Sequence, residues 1–157
     1  MKIVCIDPGH TTGVCMVDFK TKGMTFFDIP KNLVAIGKLI AELDLNDILV
    51  VEDFKVFPHK KTGLAWDSMY TPKVIGVIEY EWMLKTSTSP IFQKPADKYT
   101  AIKLINSDVW PLEDCIKKLT KKNFLSEHSW DAYCHLIFLT YQQWRKEHIK
   151  NGNTVGL

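Results

Sequence analysis

The sequence predicts an α/β protein built on one mixed, five-stranded sheet. Three short apolar segments follow one another within residues 1–30, with only short links between them. After them, helical and extended patterns alternate along the chain. Strands joined by short links pair antiparallel, whereas strands separated by helices can pair parallel, so one sheet is expected to contain both kinds of pairing.

The first three strands are expected at residues 2–7, 13–18 and 24–29, each a short apolar segment. The link at residues 20–23 is short and ends in a glycine, which favours an antiparallel hairpin. A helix is expected next, because apolar residues recur at helical spacing after Pro30 and Asn32. These residues are Leu33, Ile36, Leu39, Ile40 and Leu43.

The central strand is predicted at residues 48–51, which are all apolar and mostly β-branched, as is typical of a strand covered on both faces. Thr71 and Pro72 predict the N-cap and first turn of a helix reaching about residue 85. Between the central strand and this helix, residues 53–72 show no helical or extended period. So long a loop inside a compact domain is expected to be functional or mobile. The remaining elements are a strand at 90–93 and helices at 96–105, 112–119 and 130–144.

Length and composition favour one domain over residues 1–150, followed by a flexible polar tail at 151–157. A chain of 157 residues that is 46% hydrophobic can bury one substantial core. No apolar run approaches the roughly 18 residues of a membrane span, and no signal peptide is recognisable. The cysteines form no CxxC pair and are expected to be buried thiols in a reducing cytoplasm. They are Cys5, Cys15, Cys115 and Cys134.

A net charge of only +2 does not by itself indicate a nucleic-acid-binding protein. The distribution of charge is more informative, because lysines gather in several clusters while acidic residues follow apolar runs. An acidic site surrounded by basic surface fits this layout, although a single charge cluster is more often a solvated face.

Two acidic residues end predicted strands. Asp7 ends the first strand and Glu52 ends the central one. Neighbouring strands can bring both carboxylates to the same end of the sheet. Hard divalent cations prefer oxygen ligands, and two such ions can activate water and stabilise the leaving oxygen in phosphodiester cleavage.

A third polar group lies at the start of the last helix. His128, Asp131 and His135 follow the i, i+3, i+7 spacing and form one stripe beside an apolar flank. This stripe can point back at the sheet end that carries Asp7 and Glu52. His135 lies one turn beyond Asp131, where a surface or supporting role is more common than direct participation.

Three segments together resemble the RuvC-type Holliday-junction resolvases of the RNase H-like superfamily, which are often carried by phages. Residues 6–13 (IDPGHTTG) resemble the first-strand motif of that family, residues 50–54 (VVEDF) its second acidic motif, and residues 128–132 (HSWDA) its last motif. The three motifs occur in the family's order. The resemblance implies an RNase H-like fold, with helices on both faces of the sheet.

The resemblance also implies the roles of the site residues. Asp7, Glu52 and Asp131 would be catalytic and would ligate Mg²⁺ or Mn²⁺, with two ions per site. His128 stands where many family members have a further Asp, which is a departure from the pattern. A neutral imidazole can bind metal or assist proton transfer, but it supplies less negative charge. Asp53 is a rival to Glu52, although adjacent strand residues face opposite sides of a sheet.

The implied activity is a structure-selective endonuclease that resolves four-way junctions and other branched DNA, acting as a homodimer in the cytoplasm, which is the host cytoplasm if a phage encodes the protein. Resolving a junction cleanly needs paired cuts, which suits a two-fold dimer. Phe54 and Phe57 are expected to stack on unpaired bases or to pack in the core. Candidate phosphate contacts are Lys55, Lys60, Lys61, Lys94 and Lys98.

Other functions compete with this one. The segment at residues 7–13 also resembles the phosphate-binding hairpin of actin-like ATPases and sugar kinases, but those proteins close two domains over a nucleotide. A non-catalytic DNA-binding module and a related nuclease acting on RNA, flaps or forks are further alternatives. Gly9 and Gly13 are expected to do no more than permit the turn between two strands.

Overall fold

Five strands form one mixed sheet in the computed structural model, which describes residues 1–54, 69–107 and 115–150, without the side chains of 149 and 150. The strands are β1 (Lys2–Asp7), β2 (Thr11–Asp18), β3 (Gly23–Pro30), β4 (Ile48–Glu52) and β5 (Ile91–Gln93), in the order β3-β2-β1-β4-β5. The helices are α1 (Leu33–Ala41), α2 (Tyr70–Thr86), α3 (Asp97–Ile105) and α4 (Glu127–Lys150), with a 3-10 turn at Lys121–Asn123. The predicted α/β class and mixed five-stranded sheet are confirmed.

Strand β1 is the seam of the sheet. On one side it pairs antiparallel with β2, and β2 pairs antiparallel with β3. On the other side it pairs parallel with β4, which pairs parallel with β5. Ile6 is opposite Val51, so Asp7 and Glu52 follow directly at the same edge of the sheet.

Helices cover both faces of the sheet because side chains alternate along each strand. Ile3 and Cys5 of β1 belong to a core that includes residues of α3 and α4. The alternate residues Val4 and Ile6 point to the other face and belong to a second core with residues of α1 and α2. The predicted tail at residues 151–157 lies outside the described residues.

The helix starts were predicted with mixed success. Asn32 caps α1 as expected, because its side-chain oxygen accepts a hydrogen bond from the N–H of Ala35 at 3.0 Å. The predicted cap at Thr71 is wrong, since α2 already begins at Tyr70 and no side chain caps it. Tyr70 is buried in the α1–α2 core, and Pro72 still lies in the first turn, where its missing N–H costs nothing.

Helix α4 begins at Glu127, earlier than the predicted start at residue 130, and continues past 144 to Lys150. Ser126 explains the early start, because its hydroxyl accepts from the N–H of Ser129 at 3.1 Å in the manner of an N-cap. The same hydroxyl donates to Asp28 of β3 at 2.7 Å, so the helix start is tied to the sheet.

The predicted helix at residues 112–119 is wrong in its described part. Residues 108–114 lie outside the description, and residues 115–119 are not helical. Tyr133 replaces the missing helical hydrogen bonds: its hydroxyl donates to the carbonyl of Lys117 at 2.9 Å and accepts from the N–H of Leu119 at 3.1 Å. The apolar residues that suggested a helix, such as Ile116, instead fill the core beneath α4.

The four cysteines are free and buried, as predicted. Burial, reinforced by the charge of Asp131, raises the pKa of Cys134 to about 12, so this thiol stays protonated and unreactive. None of the helices in residues 1–54, 69–107 and 115–150 has the length and hydrophobicity that crossing a bilayer requires.

Candidate active site

Asp7 and Glu52 stand at the same edge of the sheet, where β1 and β4 end. Asp7 is only 8% exposed. Burial first, and then the negative charge of Glu52, raise the pKa of Asp7 to about 6, although a hydrogen bond from His128 opposes the shift. Asp131 adds a smaller repulsion. The three carboxylates predicted as a site therefore lie within electrostatic range of one another.

The polar stripe of α4 faces this edge, and each of its residues meets a different element. His128 places Nδ1 2.8 Å from Oδ2 of Asp7 on β1. Asp131 accepts from the Lys98 ammonium of α3 at 2.6 Å. His135 places Nε2 2.7 Å from Oε2 of Glu52 on β4. Helix α4 thus brings together sheet residues that are far apart in sequence.

Gly13 allows α4 to approach the sheet this closely. In β2 it is paired with Asp7, and a Cβ at this position would overlap the backbone carbon and oxygen of His128. Only a residue without a side chain lets the first turn of α4 rest on β2 at this spacing. The expectation that Gly13 merely serves a turn is therefore wrong: it lies within β2 and supports the position of His128.

Lys98 is the cation of the site. Burial opposes its charge, but the hydrogen bond to Asp131 and the charges of Asp131, Glu52 and Asp7 outweigh this and hold the pKa of Lys98 above its ordinary value. From the sequence, Lys98 was expected only as a contact for DNA phosphate. The structure adds that this ammonium partly balances the negative cluster.

His135 and Gln93 form a buried support behind Glu52. Glu52 and Gln93 are opposite each other in the β4–β5 ladder. His135 is 0% exposed and lies between them, with Nδ1 2.8 Å from the Gln93 side-chain oxygen. The i+7 position of His135 signalled that it could face the site, whereas no sequence signal identified Gln93, because the β4–β5 register cannot be obtained from the sequence.

The donor set has the chemistry that a divalent cation prefers. Carboxylate oxygens are hard ligands, and a cation would relieve the repulsion that raises the pKa of Asp7. Across the described ranges, however, no three His, Cys, Asp or Glu side chains are already grouped as an ion would need. Each carboxylate is instead hydrogen-bonded to a protein partner, namely His128, His135 or Lys98. The residues fit a metal in kind, because each of these bonds uses one carboxylate oxygen and a carboxylate has a second oxygen with which to ligate an ion.

The predicted DNA contacts are only partly within the described residues. Phe54 is 36% exposed just beyond β4, next to the site. Lys94 is exposed before α3, where its backbone N–H donates to Asp97. Lys55, Phe57, Lys60 and Lys61 lie outside the described residues, as does most of the predicted loop at 53–72. At the end of β4, Glu52 hydrogen-bonds to the stripe of α4 through His135.

Comparison of the chain with known protein families finds no family model that matches, and comparison with curated proteins finds no match. The geometry of the site and the three motifs are therefore the features that point to a function.

Proposed function

We propose that this protein is a Mg²⁺-dependent endonuclease of the RuvC type, which resolves Holliday junctions and other branched DNA by phosphodiester hydrolysis. One observation carries the proposal: Asp7, Glu52 and Asp131 come from three separate elements and converge at one edge of the sheet. Gathering three negative charges is unfavourable unless a cation or a bound group compensates them. Lys98 is one compensating group, and Mg²⁺ would supply more.

The fold is compatible with the RNase H-like assignment. A mixed five-stranded sheet with helices on both faces is what the resemblance implies, and the chain has this architecture. The motif residues also lie in fitting places, with Asp7 ending β1, Glu52 ending β4 and Asp131 in the first turns of α4.

In this proposal Asp7, Glu52 and Asp131 hold the metal, with His128 as an additional ligand or proton carrier. Two bound Mg²⁺ ions would supply an activated water and stabilisation of the leaving oxygen, giving 5′-phosphate and 3′-hydroxyl ends. His128 is suited to proton transfer because its side chain is 43% exposed while Nδ1 is held by Asp7. Lys98 orients the Asp131 carboxylate and brings positive charge to the place where a phosphate would lie.

The substrate and the assembly follow from the resemblance rather than from the contacts. Exposed Phe54 is suitably placed to stack on an unpaired base beside the cluster. Lys94 and Lys98, together with the lysines at 55, 60 and 61, are the proposed phosphate contacts. A homodimer would present two sites to opposite strands of a four-way junction.

The test is cleavage of labelled four-way junctions, flaps and RNA hairpins with Mg²⁺ and with a chelator. We expect Mg²⁺-dependent paired cuts in the junction, loss of cleavage with chelator, and loss of cleavage in Asp7→Asn with junction affinity within about threefold of wild type. Glu147→Gln, an exposed change on α4, is the matched control and should cleave normally. Cleavage of RNA or flaps in preference to junctions would replace the substrate, and turnover by Asp7→Asn would remove the proposed mechanism.

A further inference from the structure

His135 is the most completely buried polar residue of the α4 stripe, and it touches both strands of the parallel edge. Nε2 is 2.7 Å from Glu52 on β4 and Nδ1 is 2.8 Å from Gln93 on β5. Its side chain has no exposed area, whereas that of Glu52 is 16% exposed. The imidazole therefore lies behind the carboxylate, on the side away from solvent.

The hydrogen-bonding chemistry assigns one proton in this group. A carboxylate that ligates a cation can only accept, so in that state the contact with Glu52 requires a hydrogen on Nε2 of His135. The amide of Gln93 can present either oxygen or nitrogen to Nδ1, so it accommodates either state of the other ring nitrogen. With Nε2 donating and Nδ1 engaged, neither nitrogen has a lone pair to offer a metal from this position.

We infer that His135 is a positioning residue that holds the Glu52 carboxylate, with Gln93 fixing the ring, so that Glu52 is pre-oriented for a divalent cation. This inference rests on the proposed metal-dependent function and adds to it a supporting residue outside the three motifs. Partners of this kind behind a ligand typically change metal affinity by about 10- to 100-fold when they are removed.

The test is Mn²⁺ binding to the DNA-free protein, measured by electron paramagnetic resonance, in wild type, His135→Phe and His135→Gln. Phe keeps a ring of similar size but cannot donate, and we expect Mn²⁺ to bind about 10- to 100-fold more weakly. Gln can donate to Glu52, and we expect it to recover most of the affinity. The half-saturating Mg²⁺ concentration for cleavage should rise by a similar factor, with a smaller change in kcat at saturating Mg²⁺.

His148→Gln is the matched control, because His148 lies on the same helix and its ring hydrogen-bonds to the carbonyl of Trp144 within that helix. A folded His135→Phe protein that binds Mn²⁺ as tightly as wild type would overturn the positioning role while leaving the metal site intact. A wild-type protein that binds no Mn²⁺ would overturn the proposed function itself. Should His135→Phe not fold, Gln93→Leu applies the same test: weaker Mn²⁺ binding supports the inference and unchanged binding refutes it.

Discussion

The two ends of α4 place polar side chains in opposite environments. In residues 127–135, Asp131 and His135 are 8% and 0% exposed. In residues 142–148, the charged residues Arg145, Lys146 and Glu147 are all exposed. The first part crosses the sheet edge where Asp7 and Glu52 end their strands, and the second part has no such partners among the described residues. The buried polar groups of the first part each have a complementary partner, which is Lys98 of α3 for Asp131 and Glu52 and Gln93 of the sheet for His135.

His135 and His148, one in each part of α4, differ in burial and in hydrogen bonding although they are the same residue type. His135 is hydrogen-bonded to two strands through both ring nitrogens. His148 bonds to the carbonyl of Trp144 at 2.9 Å, and its ring lies 4.2 Å from that of Trp144. A buried polar side chain without partners costs roughly 1–3 kcal/mol, so the bonds of His135 are needed to keep it buried. The difference separates the end of α4 that carries the proposed site from the end that does not.

The largest effect on stability should come from Gly13→Ala, which prevents the first turn of α4 from packing closely on β2. The added methyl would overlap the backbone of His128, so α4 must move away from β2. We expect a loss of about 3 kcal/mol in the free energy of unfolding, as for a severe overpacking change. Urea denaturation measures it, and cleavage should fall as the stripe leaves the sheet edge.

Gly76→Ala is the control for that change. Gly76 lies in α2 on an exposed face, and a Cβ there meets nothing within 4 Å. Alanine in a helix interior is favoured over glycine, so a gain of about 0.5–1 kcal/mol is expected. If Gly13→Ala and Gly76→Ala lowered the free energy of unfolding equally, the close packing of α4 on Gly13 would not be the cause.

The next largest effect concerns the buried carboxylate of Asp7, which ends β1 and contacts His128 in the first turn of α4. Asp7→Asn removes a carboxylate whose pKa is raised to about 6 by burial and by Glu52. A raised pKa means that the folded state favours the protonated form, so the stabilisation of that form is complete below about pH 4 and is lost as the pH rises through about 6. At pH 7.5 the asparagine protein should thus be more stable than wild type, by about 2 kcal/mol.

Urea unfolding at pH 4 and at pH 7.5 measures this difference, which should nearly vanish at the lower pH. The surrounding charged groups are those of Glu52 and Asp131, which raise the pKa of Asp7, together with His128 and Lys98. Asn can still accept from His128, so loss of that bond should not obscure the result. A less stable Asp7→Asn protein at pH 7.5 would mean that its partners fully compensate the wild-type charge.

The smallest effect is expected at the other end of α4. His148→Gln should cost no more than about 0.5 kcal/mol, because it loses one hydrogen bond and one ring contact within the helix. Thermal unfolding and junction cleavage should both remain close to wild type. A large loss of cleavage here would show that the functional surface extends along the whole helix.

The parts of the fold and site that could be predicted are those set by local pattern. Asp7 and Glu52 were located because each follows an apolar strand, and the stripe of α4 because helical spacing places its residues on one side. The helix predicted at 112–119 failed in its described part since apolar spacing does not distinguish a helix from an irregular segment that fills the core.

The remaining features depend on contacts between distant segments. Gln93 supports the site only through the register of β5 against β4, and Gly13 only through the approach of a helix from the far end of the chain. The bond from Ser126 at the start of α4 to Asp28 of β3 likewise joins segments that are far apart in sequence. Such pairings have no signature in either segment alone.

The change of strand direction at β1 has a mechanical consequence. Asp7 belongs to the last antiparallel pair and Glu52 to the first parallel strand, so the two carboxylates stand on opposite sides of the boundary between the two halves of the sheet. Helix α4 spans this boundary, bonded to Asp7 through His128 and to Glu52 through His135. It therefore acts as a brace, and any strain that pulls the two halves apart would be felt first in the spacing of the two acids.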